Sequence, residues 1–84
     1  MNHCLITFRS VTPAQRAEGL LRRQGITCDL RRTPRWMEEK GCGYSLRLRR
    51  QDAQRATELL RVNQLPYRKV YLQNENGVAE ELVL

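Results

Sequence analysis

The stretch that decides the fold is AQRAEGLLR at residues 14–22, because it returns almost unchanged as AQRATELLR at residues 53–61. In both copies alanine and leucine recur at spacings of three and four residues, which is typical of an amphipathic helix with one buried face. The repeat therefore predicts two helices in two structurally similar halves of the chain.

The ends of both predicted helices carry boundary signals. Thr12 can cap the first helix, Pro13 suits its first position, and Gln15 would complete a capping box. Gly25 is expected to end this helix, since glycine readily adopts the left-handed conformation that closes many helices. Asp52 is the expected cap of the second helix.

Four strand-like runs flank the helices, at residues 4–9, 26–31, 44–49 and 67–72. The first three alternate in side-chain character, and the last is rich in aromatic and β-branched residues, so all four predict strands. Pro66 separates the second helix from the last run. The side chains expected to face the helices are Cys4, Ile6, Phe8, Ile26, Cys28, Leu30, Tyr44, Leu46 and Leu48.

The order β-α-β followed by β-α-β predicts an α+β fold of the ferredoxin-like class. This is a split βαββαβ sandwich in which two helices cover one face of an antiparallel sheet. The opposite face of the sheet is predicted to be open to solvent. The side chains expected on that open face are Arg9, Arg31, Arg47 and Arg49.

The last part of the chain extends this domain. Residues 74–77, NENG, predict a hairpin turn that returns residues 78–84 as an additional strand. We therefore divide the chain into a ferredoxin-like domain over residues 1–72 and a C-terminal hairpin or tail extension over residues 73–84. The apolar end of the tail, residues 82–84, could instead pair with a second copy and form a homodimer.

Composition limits the class of protein. The chain has 84 residues, a mass of 9.9 kDa and a formal net charge of +6 at pH 7, which leaves room for one small domain. It has neither an apolar run long enough for a transmembrane helix nor a charged-then-apolar leader, so we expect a cytoplasmic protein. Thirteen of its fifteen positive residues are arginine, and such a basic surface suits an acidic protein, a phosphate group or a nucleic acid.

Three cysteines, Cys4, Cys28 and Cys42, are the candidates for chemistry. Their odd number and the absence of a C-x-x-C motif argue against a disulfide framework. Since His3 is the only histidine, we also expect no metal site and no bound cofactor. Cys4 and Cys28 fall on predicted inward strand positions and are interpreted as core residues.

Cys42 differs from the other two because it lies between Gly41 and Gly43, directly before a predicted strand. The glycines leave its sulfur approachable, and the N–H groups of a glycine-rich turn can face an anion. Lowering a thiol pKa by about 1.5 units makes half of the thiol ionised at pH 7 and requires roughly 2 kcal/mol. Arg35 and Lys40 are the local cations that could supply this energy. The alternative is a surface cysteine without a role.

Several of these segments together resemble the Se/S carrier protein-like family of small bacterial proteins. The most specific element is Thr-Pro-Arg at residues 33–35 paired with Cys-Gly at residues 42–43. It follows a strand at residues 5–8 and a helix that contains Arg-Ala-Glu at residues 16–18. The similarity covers roughly residues 4–71.

The resemblance implies a sulfur or selenium carrier more than an enzyme with its own turnover. Cys42 falls on the carrier position, where it would hold a persulfide or selenide and pass it between a donor and an acceptor protein. This chain departs from the family pattern at Trp36, at Gly41 and in the tail from Leu72. The residues expected to hold the anion or shape the loop are Thr33, Pro34, Arg35, Lys40, Gly41 and Gly43.

Two interpretations without sulfur chemistry also stay open. A nucleic-acid-binding module would use the arginines of the open sheet face. Against this, Tyr67 and Tyr71 fall on the last strand of the ferredoxin-like order, which is an edge strand. No aromatic residue occupies the outward positions of the two central strands, which are Thr7, Arg9, Ser45 and Arg47. The other alternative is a protein-interaction module.

Overall fold

Two helices and five strands make up the part of the chain that the structure describes. The structure is a computed structural model, and it describes residues 3–32, 43–73 and 79–81. The predicted α+β class, with two helices and an antiparallel sheet, is confirmed. In chain order the elements are β1 (His3–Phe8), α1 (Val11–Arg23), β2 (Cys28–Arg32), β3 (Tyr44–Arg49), a 3-10 turn (Arg50–Asp52), α2 (Ala53–Val62), β4 (Val70–Gln73) and β5 (Ala79–Glu81).

The strands form one antiparallel sheet in the order β2-β3-β1-β4-β5. β5 pairs with β4 from Tyr71–Glu81 to Gln73–Ala79, so the chain does return after β4 as the tail sequence predicts. The predicted turn at residues 74–77 and the apolar end at residues 82–84 lie outside the described residues. Among the described strands, β1 and β3 are therefore central and β2 and β5 are the edges.

One face of the sheet packs against both helices and forms the core. Burying each large apolar side chain there contributes on the order of 1.5–3 kcal/mol. Within the described residues, neither helix is long and apolar enough to cross a membrane. The fully buried core residues from the sheet are Cys4, Ile6, Phe8, Cys28, Leu46 and Leu48, and those from the helices are Ala14, Ala17, Leu21, Ala56 and Leu60.

The end of α1 confirms the prediction made from Gly25. This residue has a φ of 82°, and its N–H donates to the carbonyl oxygen of Arg22 at 3.1 Å. The next N–H, from Ile26, donates to the carbonyl oxygen of Leu21 at 2.9 Å. These two bonds form a Schellman motif, in which a left-handed residue satisfies the last free carbonyl groups of a helix.

The end of α2 repeats this arrangement without a glycine. Gln64 has a φ of 57°, and its N–H donates to the carbonyl oxygen of Arg61 at 3.1 Å. The N–H of Leu65 donates to the carbonyl oxygen of Leu60 at 2.8 Å. The internal repeat therefore continues through the helix ends, although glutamine replaces glycine at the left-handed position.

The start of α1 differs from the prediction. Ser10, not Thr12, is the N-cap, with extended backbone angles, and its side chain makes no capping hydrogen bond. The predicted capping box between Thr12 and Gln15 is therefore wrong, since Thr12 already lies inside the helix. Pro13 is tolerated in this first turn because the first four N–H groups of a helix have no partner within it. Asp52 occupies the N-cap position of α2, as predicted, but its side chain makes no capping hydrogen bond.

The last predicted strand is shorter than expected, since β4 covers Val70–Gln73 instead of residues 67–72. Thr7 gives the physical reason. Its carbonyl oxygen accepts from the Arg68 N–H at 2.8 Å, and its N–H donates to the Lys69 carbonyl oxygen at 2.8 Å. Its hydroxyl also accepts from the Lys69 N–H at 3.0 Å. Two residues thus oppose one, which is the arrangement of a β-bulge and ends the regular ladder.

The sheet face that points away from the helices, called the outer face below, is less open than predicted. Arg9 lies beyond the end of β1 and therefore outside the sheet, and Arg47 is half-buried. Arg31 and Arg49 are exposed, as predicted. Long side chains of neighbouring strands flank the short ones in the middle of this face. The residues buried there are Leu5, Thr7 and Ser45.

Candidate functional site

The chain segment that contains the predicted carrier cysteine leaves the sheet where three strands end together. Arg32, the last residue of β2, pairs with Tyr44, the first residue of β3. Tyr44 also pairs with Phe8, the last residue of β1. We call this side of the sheet the loop end, and the opposite side, where β1 begins at His3, the far end.

Most of the predicted site residues lie outside the described residues. Gly43 is the exception, and it is buried directly before β3. The arrangement of these residues around the carrier thiol therefore stays a prediction, as does the short turn expected at residues 36–39. The predicted residues outside the described part of the chain are Thr33, Pro34, Arg35, Trp36, Lys40, Gly41 and Cys42.

The loop end has a positive electrostatic character. Arg9 directly follows β1 and Arg32 ends β2, and both side chains are exposed. α1 also begins here, and its N-cap Ser10 leaves the free N–H groups of the first turn without a side-chain acceptor. A helix N-terminus carries roughly half a positive charge. These groups together favour an anion at this end of the sheet, a feature that the spacing of arginines in the sequence did not indicate.

Cys4 and Cys28 are core residues, as predicted, with relative exposures of 0% and 1%. Burial raises the pKa of the Cys4 thiol to about 12. Burial also raises the pKa of Cys28, where the charge of Glu18 adds to the effect and Arg22 opposes it. Both thiols are therefore protonated at neutral pH, and a cysteine attacks as a nucleophile only when it is a thiolate.

The surroundings of Cys28 have a structural explanation. Arg22 Nη2 donates to the Cys28 carbonyl oxygen at 3.0 Å and lies 3.4 Å from Glu18 Oε2. The Cys28 thiol lies 4.0 Å from the Glu18 carbonyl oxygen, to which it donates a weak hydrogen bond. These contacts join the start of β2 to α1.

Comparison with known proteins agrees with the sequence motifs. The family model described as "Putative Se/S carrier protein-like" matches residues 3–72, from the first residue of β1 to the third residue of β4. The chain belongs to the Se/S carrier protein-like family. No curated protein and no solved structure matches the chain.

The outer face of this Se/S carrier-like protein also bears on the nucleic-acid alternative. Tyr71 is half-buried on this face beside Leu5, and β4 lies between β1 and β5. The expectation that Tyr71 lies on an edge strand is therefore wrong, because β5 covers that edge. Tyr67 precedes β4 and lies in no strand. Lys69 is already paired with Glu81, at 3.8 Å. The outer face thus offers one half-buried aromatic ring from β4 and exposed guanidinium groups from β2 and β3.

Within residues 3–32, 43–73 and 79–81, no three side chains of histidine, cysteine, aspartate or glutamate come together in a way that could hold a metal ion. The expectation of a site without a metal or a resident cofactor stays a prediction for the chain as a whole.

Proposed function

We propose that this protein is a sulfur or selenium carrier and that Cys42 is its carrier thiol. The observation that supports this most directly is membership of the Se/S carrier protein-like family over residues 3–72. Such a protein takes the element from a donor protein and delivers it to an acceptor protein. The reducing cytoplasm would suit a carrier of this kind, because it keeps an unpaired cysteine free.

The assignment to Cys42 is supported by the state of the other two cysteines. Cys4 and Cys28 are buried, and burial raises both of their pKa values. A donor protein could reach neither sulfur without unfolding the core. Cys42 is the remaining cysteine of the chain, and it occupies the carrier position of the family motif.

The loop end of the sheet supports the same assignment electrostatically. Two residues of chain span at most about 7 Å, so the connection to Tyr44 tethers Cys42 close to this end. Arg9, Arg32 and the N-terminus of α1 would then add to the effect of Arg35 and Lys40. Positive groups near a thiol lower its pKa, and they also stabilise the anionic persulfide that it forms.

The transfer step would be a sulfur exchange without net oxidation. The Cys42 thiolate would attack the terminal sulfur of a donor persulfide, R–S–SH. One S–S bond forms to Cys42 while the S–S bond of the donor breaks, and the donor leaves as the thiolate R–S⁻. The product, Cys42–S–SH, repeats this exchange with the acceptor. A donor of the form R–S–SeH would deliver selenium in the same way.

The experiment that tests this proposal is persulfide loading followed by intact-mass spectrometry. The full chain is incubated with a cysteine desulfurase that carries a persulfide, and we expect the mass of one added sulfur atom. Cys42→Ser should abolish the gain. Cys28→Ser and Cys4→Ala serve as matched controls that keep Cys42, and they should load normally provided that circular dichroism shows a folded chain.

Two results would contradict the carrier proposal. One is equal loading of the wild-type chain and the Cys42→Ser variant. The other is no loading at all, combined with salt-sensitive binding of single-stranded RNA that Cys42→Ser leaves unchanged. The second result would favour a nucleic-acid-binding module.

We further propose that β1 to β4 with the two helices form a ferredoxin-like sandwich, the finer fold class that the two β-α-β units predict.

A further inference from the structure

A small cleft at the far end of the sheet plays no part in the carrier chemistry proposed above. It lies where β2 begins and β3 ends, and its volume is about 130 Å³. Its lining includes two guanidinium groups, an imidazole ring and a single carboxylate. The lining residues are His3, Thr27, Cys28, Asp29, Arg47, Leu48 and Arg49.

Arg47 is the unusual residue of this cleft. Its Nε atom is buried and has no hydrogen-bond partner. A buried N–H group without an acceptor is unfavourable, and native structures contain few of them. A modest turn of the guanidinium group toward the cleft would let an incoming acceptor satisfy this donor.

His3 holds the guanidinium group in its present orientation. Arg47 Nη2 lies 3.1 Å from His3 Nδ1, and since a guanidinium can only donate, Nδ1 accepts and Nε2 carries the proton of the neutral ring. Burial and the neighbouring positive charges, chiefly that of Arg47, lower the pKa of His3. The imidazole is therefore neutral at pH 7, in surroundings that disfavour a further positive charge.

The other charged groups near the ring are few. Arg49 contributes a guanidinium that is 55% exposed and lies 3.7 Å from Asp52. Arg31 lies further along β2, and its positive charge also lowers the pKa of His3. Asp29 opposes this excess of positive charge, and within the described residues no ion pair shorter than 4 Å joins it to Arg47.

We propose that this cleft binds a phosphate group, either free phosphate or the phosphate of a small molecule. Arg47 and Arg49 donate to its oxygen atoms, and the neutral His3 ring supplies its Nε2–H as a further donor. Guanidinium groups suit this task because their fork of N–H donors matches the oxygen atoms of a phosphate. The proposal does not depend on the carrier function, since the cleft lies at the opposite end of the sheet from the loop.

The test is an NMR titration of the ¹⁵N-labelled full chain with sodium phosphate, at constant ionic strength kept with sodium chloride. We expect a saturable shift of the Arg47 Nε–Hε signal and a rise in the pKa of His3, because a bound anion favours the imidazolium form. A second titration uses glycerol 3-phosphate. Tighter binding of the ester supports the phosphate of a small molecule as the ligand, and equal binding supports free phosphate.

Substitutions inside and outside the cleft make the result specific. Arg47→Gln and Arg49→Gln should each weaken binding about tenfold or more, since each removes a charge-assisted hydrogen bond. Asp29→Asn should tighten binding, while Arg16→Gln on α1 removes the same charge elsewhere and should change nothing. Arg49 and Asp29 are exposed, so we expect their variants to fold. They therefore test phosphate binding in the cleft even if Arg47→Gln fails to fold.

Three results would overturn the proposal. The first is a shift that never saturates and follows ionic strength alone. The second is an equal loss of binding in Arg16→Gln and Arg49→Gln. The third is binding of an RNA oligonucleotide without binding of either monophosphate, because a polyanion would then be recognised by the surface as a whole.

Discussion

Cys4 lies near the start of β1 on its core-facing side, and Cys28 begins β2 on the same face of the sheet. Ionising either thiol would leave a negative charge in apolar surroundings, which is why burial raises its pKa. Strand alternation is enough to predict the burial of both residues, because every second side chain of a strand faces the core. Alternation says nothing about the acidity of Cys42, which depends on the charges around it in the folded chain.

The first prediction concerns the reactivity of the three thiols toward iodoacetamide. With a pKa of about 12, only about one Cys4 thiol in 10⁴ is ionised at pH 8. We therefore expect the folded chain to be alkylated at Cys42 alone. Raising the pH from 7 to 9 should speed the reaction at Cys42 and leave Cys4 and Cys28 almost unlabelled. Peptide mass spectrometry after digestion gives the label at each site.

Unfolding provides the control for this prediction. In guanidinium chloride all three cysteines should react at similar rates, because burial no longer protects any of them. The folded Cys42→Ser variant should take up almost no label. Rapid labelling of Cys4 or Cys28 in the folded chain would contradict the burial on which the carrier assignment depends.

At the scale of the elements, the two helices end with the same backbone geometry but with different residues. Gly25 and Gln64 both have positive φ values. Glycine adopts this conformation without steric cost, whereas a residue with a Cβ atom is strained there. The hydrogen bonds of Leu65 and Gln64 to α2, together with the burial of Leu60, hold the less suitable residue in place.

The second prediction is that Gln64→Gly stabilises the chain. Removing the Cβ atom relieves the left-handed strain, while the greater freedom of glycine in the unfolded chain offsets part of the gain, so the net rise in the free energy of unfolding is up to about 1 kcal/mol. Urea denaturation followed by circular dichroism measures this change. Gly25→Ala is the matched control and should lower the free energy of unfolding. A destabilised Gln64→Gly variant would mean that contacts of the glutamine side chain contribute more to the free energy of unfolding than the left-handed strain costs.

The β-bulge opposite Thr7 shows why strand ends are harder to predict than strands. The β character of residues 67–72 indicates a strand correctly, but the bulge depends on a hydroxyl group from β1, which is far away in the sequence. Thr7 forms hydrogen bonds to Lys69 with its N–H and its hydroxyl group. No local pattern around Tyr67 contains that information.

At the scale of the whole molecule, the +6 net charge is distributed over both ends of the sheet. Arg9 and Arg32 lie at the loop end, where the segment that contains the proposed carrier residue, Cys42, connects β2 to β3. Toward the far end, Arg23 ends α1 and Arg50 directly follows β3, and both are also exposed. Charges close to a docking site speed the encounter with an acidic partner, and salt screens them over about 10 Å at 0.1 M.

The third prediction uses this distribution. The double variant Arg9→Gln, Arg32→Gln should slow persulfide transfer from a donor several-fold and weaken its dependence on salt, because steering and thiolate stabilisation both decline. The double variant Arg23→Gln, Arg50→Gln has the same net charge and should transfer at nearly the wild-type rate. Stopped-flow or quenched mass spectrometry gives the rates. Equal losses in both variants would mean that the overall charge matters and that the loop end has no special role.

The sequence by itself determined the two helices, the inward faces of the strands, the burial of Cys4 and Cys28 and the family to which the chain belongs. These features follow from local periodicity and from motifs, because a helix or a strand shows its buried face in residues only two to four positions apart. The sequence also predicted that α1 ends at Gly25, because the conformational freedom of glycine is a property of the residue itself.

Only the tertiary structure decided the grouping of Arg9 and Arg32 at the loop end, the bulge at Thr7, the buried positions of the outer face and the cleft around Arg47. In each case the deciding contact joins residues that are far apart in the sequence, such as Arg47 with His3 and Thr7 with Lys69. The register of a sheet, and therefore which charges it brings together, depends on pairing between distant segments of the chain. A local sequence pattern does not show which residues will pair.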